Sequence, residues 1–414
     1  MTRYEINYGL SQRLALEVPG EASVVTLGTR AAGPASLMTE QAVADALASP
    51  LGYPPFGAAM FPEDHLVIAV EHHVPGSAGL ITAILHNVPA GTIAQGRVSV
   101  LLAPEAICAP ELGRMIEQEF PTVAIQRHHP GDRGDLSYLA ADREARPVYL
   151  NRSLCDADLV ISVGCTREPQ LCRSGGFPLG LFPTFSDQEA RDRYRWSHWR
   201  EALQASEVPQ HDANEVNWLS GNRFVLRVVP AGQDGIAAVL AGDVDEVEVA
   251  ATKWYRELWH ETITRPVDLA VACLAGGPAA QTWDNLTRAI AAARRLVPVE
   301  GAIAVLSELD EMVPQQTPDD RCLDESVLES RSPQGTRRRR SPTPIRGVRS
   351  RTWTDEPFPR VYLGSRCDAD AVEALEMIPL GHVSEIQALC GKARSIAFLE
   401  NAQFTWPVRA RRWP

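Results

Sequence analysis

Runs of apolar residues of strand length recur along the chain, separated by stretches whose apolar positions follow helical spacing. The runs "HLVIAVE" (65–71), "RVSVLLA" (97–103), "TVAIQRH" (122–128) and "ADLVISVG" (157–164) alternate with stretches such as "GSAGLITAILHNV" and "PELGRMIEQEF". Continuous rather than alternating apolar strands are buried on both faces, so the pattern predicts a parallel sheet covered by helices. Ahead of it, "YEINYG" and "RLALEV" read as a short strand pair. Pro19-Gly20 separate that pair from "SVVTLG", and "MTEQAVADALAS" (38–49) reads as a helix ended by Pro50 and Gly52.

The pattern then repeats. "NRFVLRVVPAGQDGIAAVLAGD" reads as a hairpin around Gly232 to Gly235, and a helix containing Trp254 and Trp259 leads to Pro266. Strand "VDLAVACLAGG", helix "NLTRAIAAARRLV" and strand "GAIAVLSEL" open a second α/β unit, closed by "RVYLGS", "DADAVEALEMI" and "SIAFLE". Residues 313–358 are rich in Pro, Ser and Arg without sustained periodicity and are expected to be a disordered insertion. The expected fold class is α/β with two domains, 1–264 and 265–414. Each carries a mainly parallel sheet flanked by helices, with a ligand cleft between them.

Composition narrows the function without choosing it. The chain has 414 residues, 45% hydrophobic and 22% charged, close to the globular norm. Its net charge of −12 disfavours nucleic acid as a partner. No stretch approaches a membrane span or a signal-peptide core, so membrane partners are not expected and a cytoplasmic location is. The 8 cysteines form no CxxC pair, and no metal site is read from them. Lysine occurs only as Lys253 and Lys392.

Candidate chemistry begins where the first buried strand ends, at Glu71-His72-His73, before a turn at Pro75-Gly76. Ligands of open parallel sheets sit at the carboxyl ends of strands, which makes these three residues catalytic candidates. Adjacent strand residues point to opposite faces, so one of the two histidines at most is expected to face a ligand. His128 and His129, with Asp132 and Asp135 nearby, are further candidates for proton transfer, against a hydrated turn at Pro130-Gly131. The Gly/Pro loop 172–183 leads to a helix start at Ser186, where Glu189 three residues on fits a capping box. Asp243, in Ala-Gly-Asp, reads as a residue orienting backbone at the junction or as a simple turn residue.

With these segments in place, the chain resembles the family of nickel-dependent lactate racemases. The likeness rests on "ALASPLGYPPF" (46–56), "RPVYLNRSLCDADLVISVG" (146–164), "AAVLAGD" (237–243) and "AGGPAAQTWDNLTRAIAAARRLV" (275–297), in the family's order and spacing. The resemblance implies a two-domain α/β protein with its site between the domains. It also implies a lysine-bound nickel-pincer nucleotide that takes hydride from a 2-hydroxy acid while two histidines move the hydroxyl proton. Cofactor contacts would then fall on Ser174, Gly175, Gly176 and Arg288.

Residue by residue, the likeness is incomplete. The family's Asp-x-Thr-Arg-Pro-x-Pro falls on Glu71 to Ser77, with Val74 where the carboxylate-binding arginine is expected. Ala103-Pro104-Glu105 replaces the first acid/base histidine, and Gln170 follows Pro169 in place of the second. Phe177-Pro178 stands where the tethering lysine belongs, Arg195 takes the place of the nickel-binding histidine, and Arg288 replaces a second-domain lysine. Two readings follow: a divergent 2-hydroxy acid racemase or epimerase, or a non-catalytic protein binding a small anionic metabolite of that kind on the same scaffold.

Overall fold

The computed structural model describes residues 1–29, 39–61, 63–104, 109–142, 145–168, 181–193, 215–216, 218–310 and 358–410. The loop residues Ser174, Gly175 and Gly176, together with Gln170, Phe177 and Arg195, lie outside that set. So does the expected insertion, except for Phe358.

Strand β1 (Thr2–Tyr8) pairs antiparallel with β2 (Gln12–Val18), and β3 (Ser23–Leu27) follows. Helix α1 (Thr39–Ala48) then leads to the first large sheet. Its strands are β4 (Leu66–Val70), β5 (Val98–Leu102), β6 (Ala124–Arg127), β9 (Leu159–Cys165), β10 (Phe224–Gly232) and β11 (Gly235–Asp243). They lie in the order β11-β10-β9-β4-β5-β6, parallel except for β11. The antiparallel pair β7 (Leu136–Ala141) and β8 (Pro147–Asn151) is inserted between β6 and β9. Every residue of β4 is buried, as its unbroken apolar sequence requires. One face of the sheet packs on α1, α2 (Ser77–His86) and α3 (Ala109–Glu119) through Val43, Leu80, Ile84 and Leu112.

Helix α4 (Val244–Trp259) runs from β11 to β12 (His260–Ile263), and the second large sheet begins at β13 (Leu269–Cys273). With β14 (Ala302–Leu306), β15 (Arg360–Gly364), β16 (Ile378–Pro379) and β17 (Ser395–Leu399) it runs β16-β15-β14-β13-β17-β3, parallel throughout. Helix α5 (Trp283–Arg294) covers one face; the β1–β2 hairpin and α6 (Val383–Lys392) cover the other. Thus β3, early in the chain, completes a sheet built from its far half, and residues 2–27 pack there rather than on the first sheet. The final strand β18 (Trp406–Arg409) pairs with β12.

An aromatic cluster joins the two halves. Phe404 packs with Cys165, Val229, Tyr255 and Trp259. The Trp259 indole N–H donates to Pro230 O at 2.9 Å, and the Tyr255 hydroxyl donates to Phe404 O at 2.5 Å. The carboxyl ends of β4 and β9 are therefore held against the Gly276-Gly277-Pro278 turn and the start of α5.

One local expectation changes. The helix after the Gly/Pro loop begins at Gln188, and its cap is Asp187, whose carboxylate accepts from the Ala190 N–H at 2.8 Å. Ser186 instead donates its hydroxyl to Tyr149 O at 2.8 Å.

Candidate functional site

Glu71 closes β4, and its carboxylate turns inward onto the Arg227 guanidinium of β10. The two side chains are 5% and 4% exposed, so neither is available to solvent. Gly164 lies opposite Arg227 in the pairing of β9 with β10, and any side chain there would overlap both ion-pair partners. Glycine at 164 is thus a space requirement, and Glu71 is placed as a buried structural partner. Breaking such a pair leaves an uncompensated charge and costs about 3–5 kcal/mol.

The chain leaves the strand after Glu71. His73 adopts a left-handed backbone (φ 60°), uncommon for a residue with a side chain. That turn overturns the expectation that the two histidines face opposite ways, because strand alternation ends at Val70. Their rings instead meet edge to face with centroids 4.4 Å apart.

Each ring is oriented by the second half of the molecule. Asp284, in the first turn of α5, accepts from His72 Nε2 at 3.0 Å. A carboxylate only accepts, so the proton sits on Nε2 and the neutral ring keeps its lone pair on Nδ1. That Nδ1 is buried and has no hydrogen-bond partner among the described residues. His73 Nδ1 donates to the Ala279 carbonyl, leaving Nε2 as the unprotonated nitrogen. Burial lowers the His73 pKa well below the usual histidine value, and His72, Arg167 and Arg288 press the same way while Asp284 opposes them. His73 is therefore neutral at ordinary pH.

Arginines complete the cluster. Arg167 follows β9, donates from Nη2 to His73 O at 3.1 Å and rests over the Phe404 ring, 5.0 Å from its centroid. Arg288 on α5 donates to Asn285 Oδ1 at 2.9 Å. The cap of α5 is Thr282, which accepts from the Asn285 N–H, so Asp284 and Arg288, one turn apart, are set by a fixed helix start. Farther out, the buried Glu168 accepts from His260 at 2.6 Å.

Among the described residues, His72, His73 and Asp284 form the one group of three whose ligand atoms lie within 4.8 Å of one another, as a cation site needs. The Arg167 and Arg288 guanidiniums beside them shift the local field toward anions.

The other predicted residues do not join this cluster. His128 is a core histidine: Nε2 donates to Ser186 O at 2.7 Å, and Nδ1 accepts from Asn151 Nδ2 at 3.1 Å. Both ring nitrogens are occupied, which leaves no proton to exchange with a ligand. His129 sits at the surface, 3.4 Å from Asp135. Asp243 caps α4, accepting from the Asp245 N–H at 3.0 Å. Sequence reasoning missed Asp284, Arg167 and Arg227, which enter from a helix start, the residues after β9 and the interior of β10. A signal existed only for Asp284, in the first turn of a helix opened by Thr282.

The comparisons agree with this architecture. Residues 8–188 match the lactate racemase N-terminal domain. That match spans under half of the chain, and over it the chain is similar to the lactate racemase family. Across 98% of this chain and 100% of the other, the fold is similar to that of the lactate racemase apoprotein from Thermoanaerobacterium thermosaccharolyticum (TM-score 0.68, 14% identity). It is also similar to the crystal structure of a Thermotoga maritima protein over 83% of this chain and 93% of the other (TM-score 0.54, 12% identity). No curated protein matches the chain.

A lysine-tethered cofactor does not fit the residues present. Lys253 on α4 and Lys392 at the end of α6 are both exposed, and neither takes part in the cluster at the strand ends.

Proposed function

We propose that the lactate racemase fold is used here to bind a 2-hydroxy acid, or a kindred small carboxylate, at the carboxyl ends of β4 and β9, without a lysine-tethered nickel-pincer cofactor. The observation that carries this reading is His72. Its Nε2 is fixed by Asp284 while its Nδ1 is a buried lone pair without a partner among the described residues. Buried polar atoms are rarely left unpaired, and an incoming hydroxyl donor satisfies this one. The neighbouring guanidiniums supply the charge that a carboxylate seeks.

A second reading, isomerisation of the bound acid, is favoured by the same pair. Asp284 holds His72 in one tautomer, with Nδ1 turned to accept the proton of a hydroxyl, which is what a general base requires. Inversion at the α-carbon also needs a hydride acceptor, which an untethered nickel-pincer nucleotide would supply when bound.

The test is calorimetric titration of the full chain with glycolate, lactate and 2-hydroxybutyrate, followed by chiral chromatography of each chiral acid after incubation with the nickel-pincer nucleotide supplied. Binding should occur, and His72→Asn should raise Kd by about tenfold, the loss of one buried hydrogen bond. No binding of any acid sinks the proposal; binding without inversion leaves the first reading and removes the second.

A further inference from the structure

Position 74, where the resemblance implies a carboxylate-binding arginine, is a valine, and an arginine reaches the same turn from the neighbouring strand. Val74 is an apolar, buried residue that cannot hold a carboxylate. Arg167 comes from the end of β9, which pairs directly with β4. Its guanidinium crosses to the turn after β4, where Nη2 donates to His73 O at 3.1 Å, one residue from Val74. The Phe404 ring supports the group from one side.

Arg167 is 8% exposed, yet its Nη1 is fully buried and has no hydrogen-bond partner among the described residues. The hydroxyl of the preceding residue, Thr166 Oγ1, is likewise buried and without a partner among the described residues. Leaving a charged donor unpaired out of water is costly, so such a group in a folded protein calls for a partner that arrives from outside. One anchored nitrogen and one open nitrogen make a pre-set fork, and planar oxyanions are what that fork matches.

We infer that Arg167 is the carboxylate-binding residue of this site, supplying from β9 the guanidinium that the residue at 74 does not. The inference rests on the binding reading above and assigns the acid's two ends: carboxylate to Arg167, hydroxyl to His72 Nδ1.

Affinity is read by titrating the full chain with glycolate, lactate and 2-hydroxybutyrate, each against its primary amide. The amide keeps the hydroxyl and shape but loses the charge. Wild-type protein should prefer acid over amide by roughly 10- to 100-fold, the range for a charge-assisted contact. Arg167→Gln should abolish that preference while leaving amide affinity within about twofold, and Arg167→Lys should keep part of it. Thermal unfolding of each variant identifies misfolding. Because the acid/amide comparison in the wild type needs no substitution, it stands even if a variant is lost. A purely structural Arg167 would weaken acid and amide equally. Wild type that binds acid and amide alike, or Arg167→Gln that still discriminates, overturns the assignment and leaves the site reading intact. Wild type that binds neither overturns both.

Discussion

At the scale of single residues, the site is controlled by which proton each ring keeps. His73 is held neutral, its pKa well below 6.5 in the folded chain and near that value once unfolded. The unfolded state therefore binds the extra proton first as pH falls. Stability contributed by the neutral ring is complete above about 6.5 and declines as pH drops toward the folded value. Urea midpoints measured from pH 7.5 to 5 should fall on the acid side, and His73→Asn, which tolerates the left-handed backbone, should flatten that limb. An unchanged slope in the variant would place the acid sensitivity elsewhere. Much of this chemistry was hidden in the sequence. Glu71-His72-His73 could be singled out because the strand before it is an unbroken apolar run. That both rings would converge depends on one positive φ, for which a non-glycine residue carries no sequence mark. Arg167 was unreadable for a related reason: only the pairing of β9 beside β4 brings it to the turn.

At the scale of elements, side-chain caps set the starts of α4 and α5. Asp243 ends β11 and opens α4, accepting from the Asp245 N–H while its other oxygen accepts from Arg223 at 2.9 Å. The contact with the exposed arginine adds little, so the cap is the part that matters. Asp243→Ala should lower unfolding free energy by about 1 kcal/mol in chemical denaturation, with the site unaffected. The strands were the most legible elements, since β4, β5, β9, β13, β14 and β17 are continuous apolar runs. The pairs β7–β8 and β12–β18 and the helix α6 were not foreseen. β12 is four residues long and mostly polar, and it exists because β18 offers it an edge. Pairing of that kind is decided by tertiary position, which local pattern does not contain.

At the scale of the molecule, two mainly parallel sheets meet through Phe404, Tyr255 and Trp259, and the candidate site lies where their strand and helix ends face. The α/β class and the repeat of the pattern were legible; the sheet membership of residues 2–27 was not, because adjacency in sequence argues for the nearer sheet. Here β3 lies beside β17, and Ile6, Leu14, Leu16 and Val18 are buried against Leu269, Val271 and Phe398. Removing residues 1–28 should therefore weaken the far half of the chain. A fall in Tm of roughly 10 °C or more is expected from the apolar area uncovered, and differential scanning calorimetry would show it. A truncated chain that melts with the parent would mean the hairpin adds no stability.

The same arrangement sets an order of events during synthesis. Asn401 Nδ2 donates to Gly28 O at 3.0 Å, closing a seam between groups 373 residues apart. While the ribosome is still at work, the β1–β2 hairpin has emerged but β13 and β17, against which it hides, do not yet exist. A product cut short before β17 keeps its greasy hairpin on display, the kind of surface that chaperones and proteases seize. The seam therefore closes only in chains translated through to their distant half.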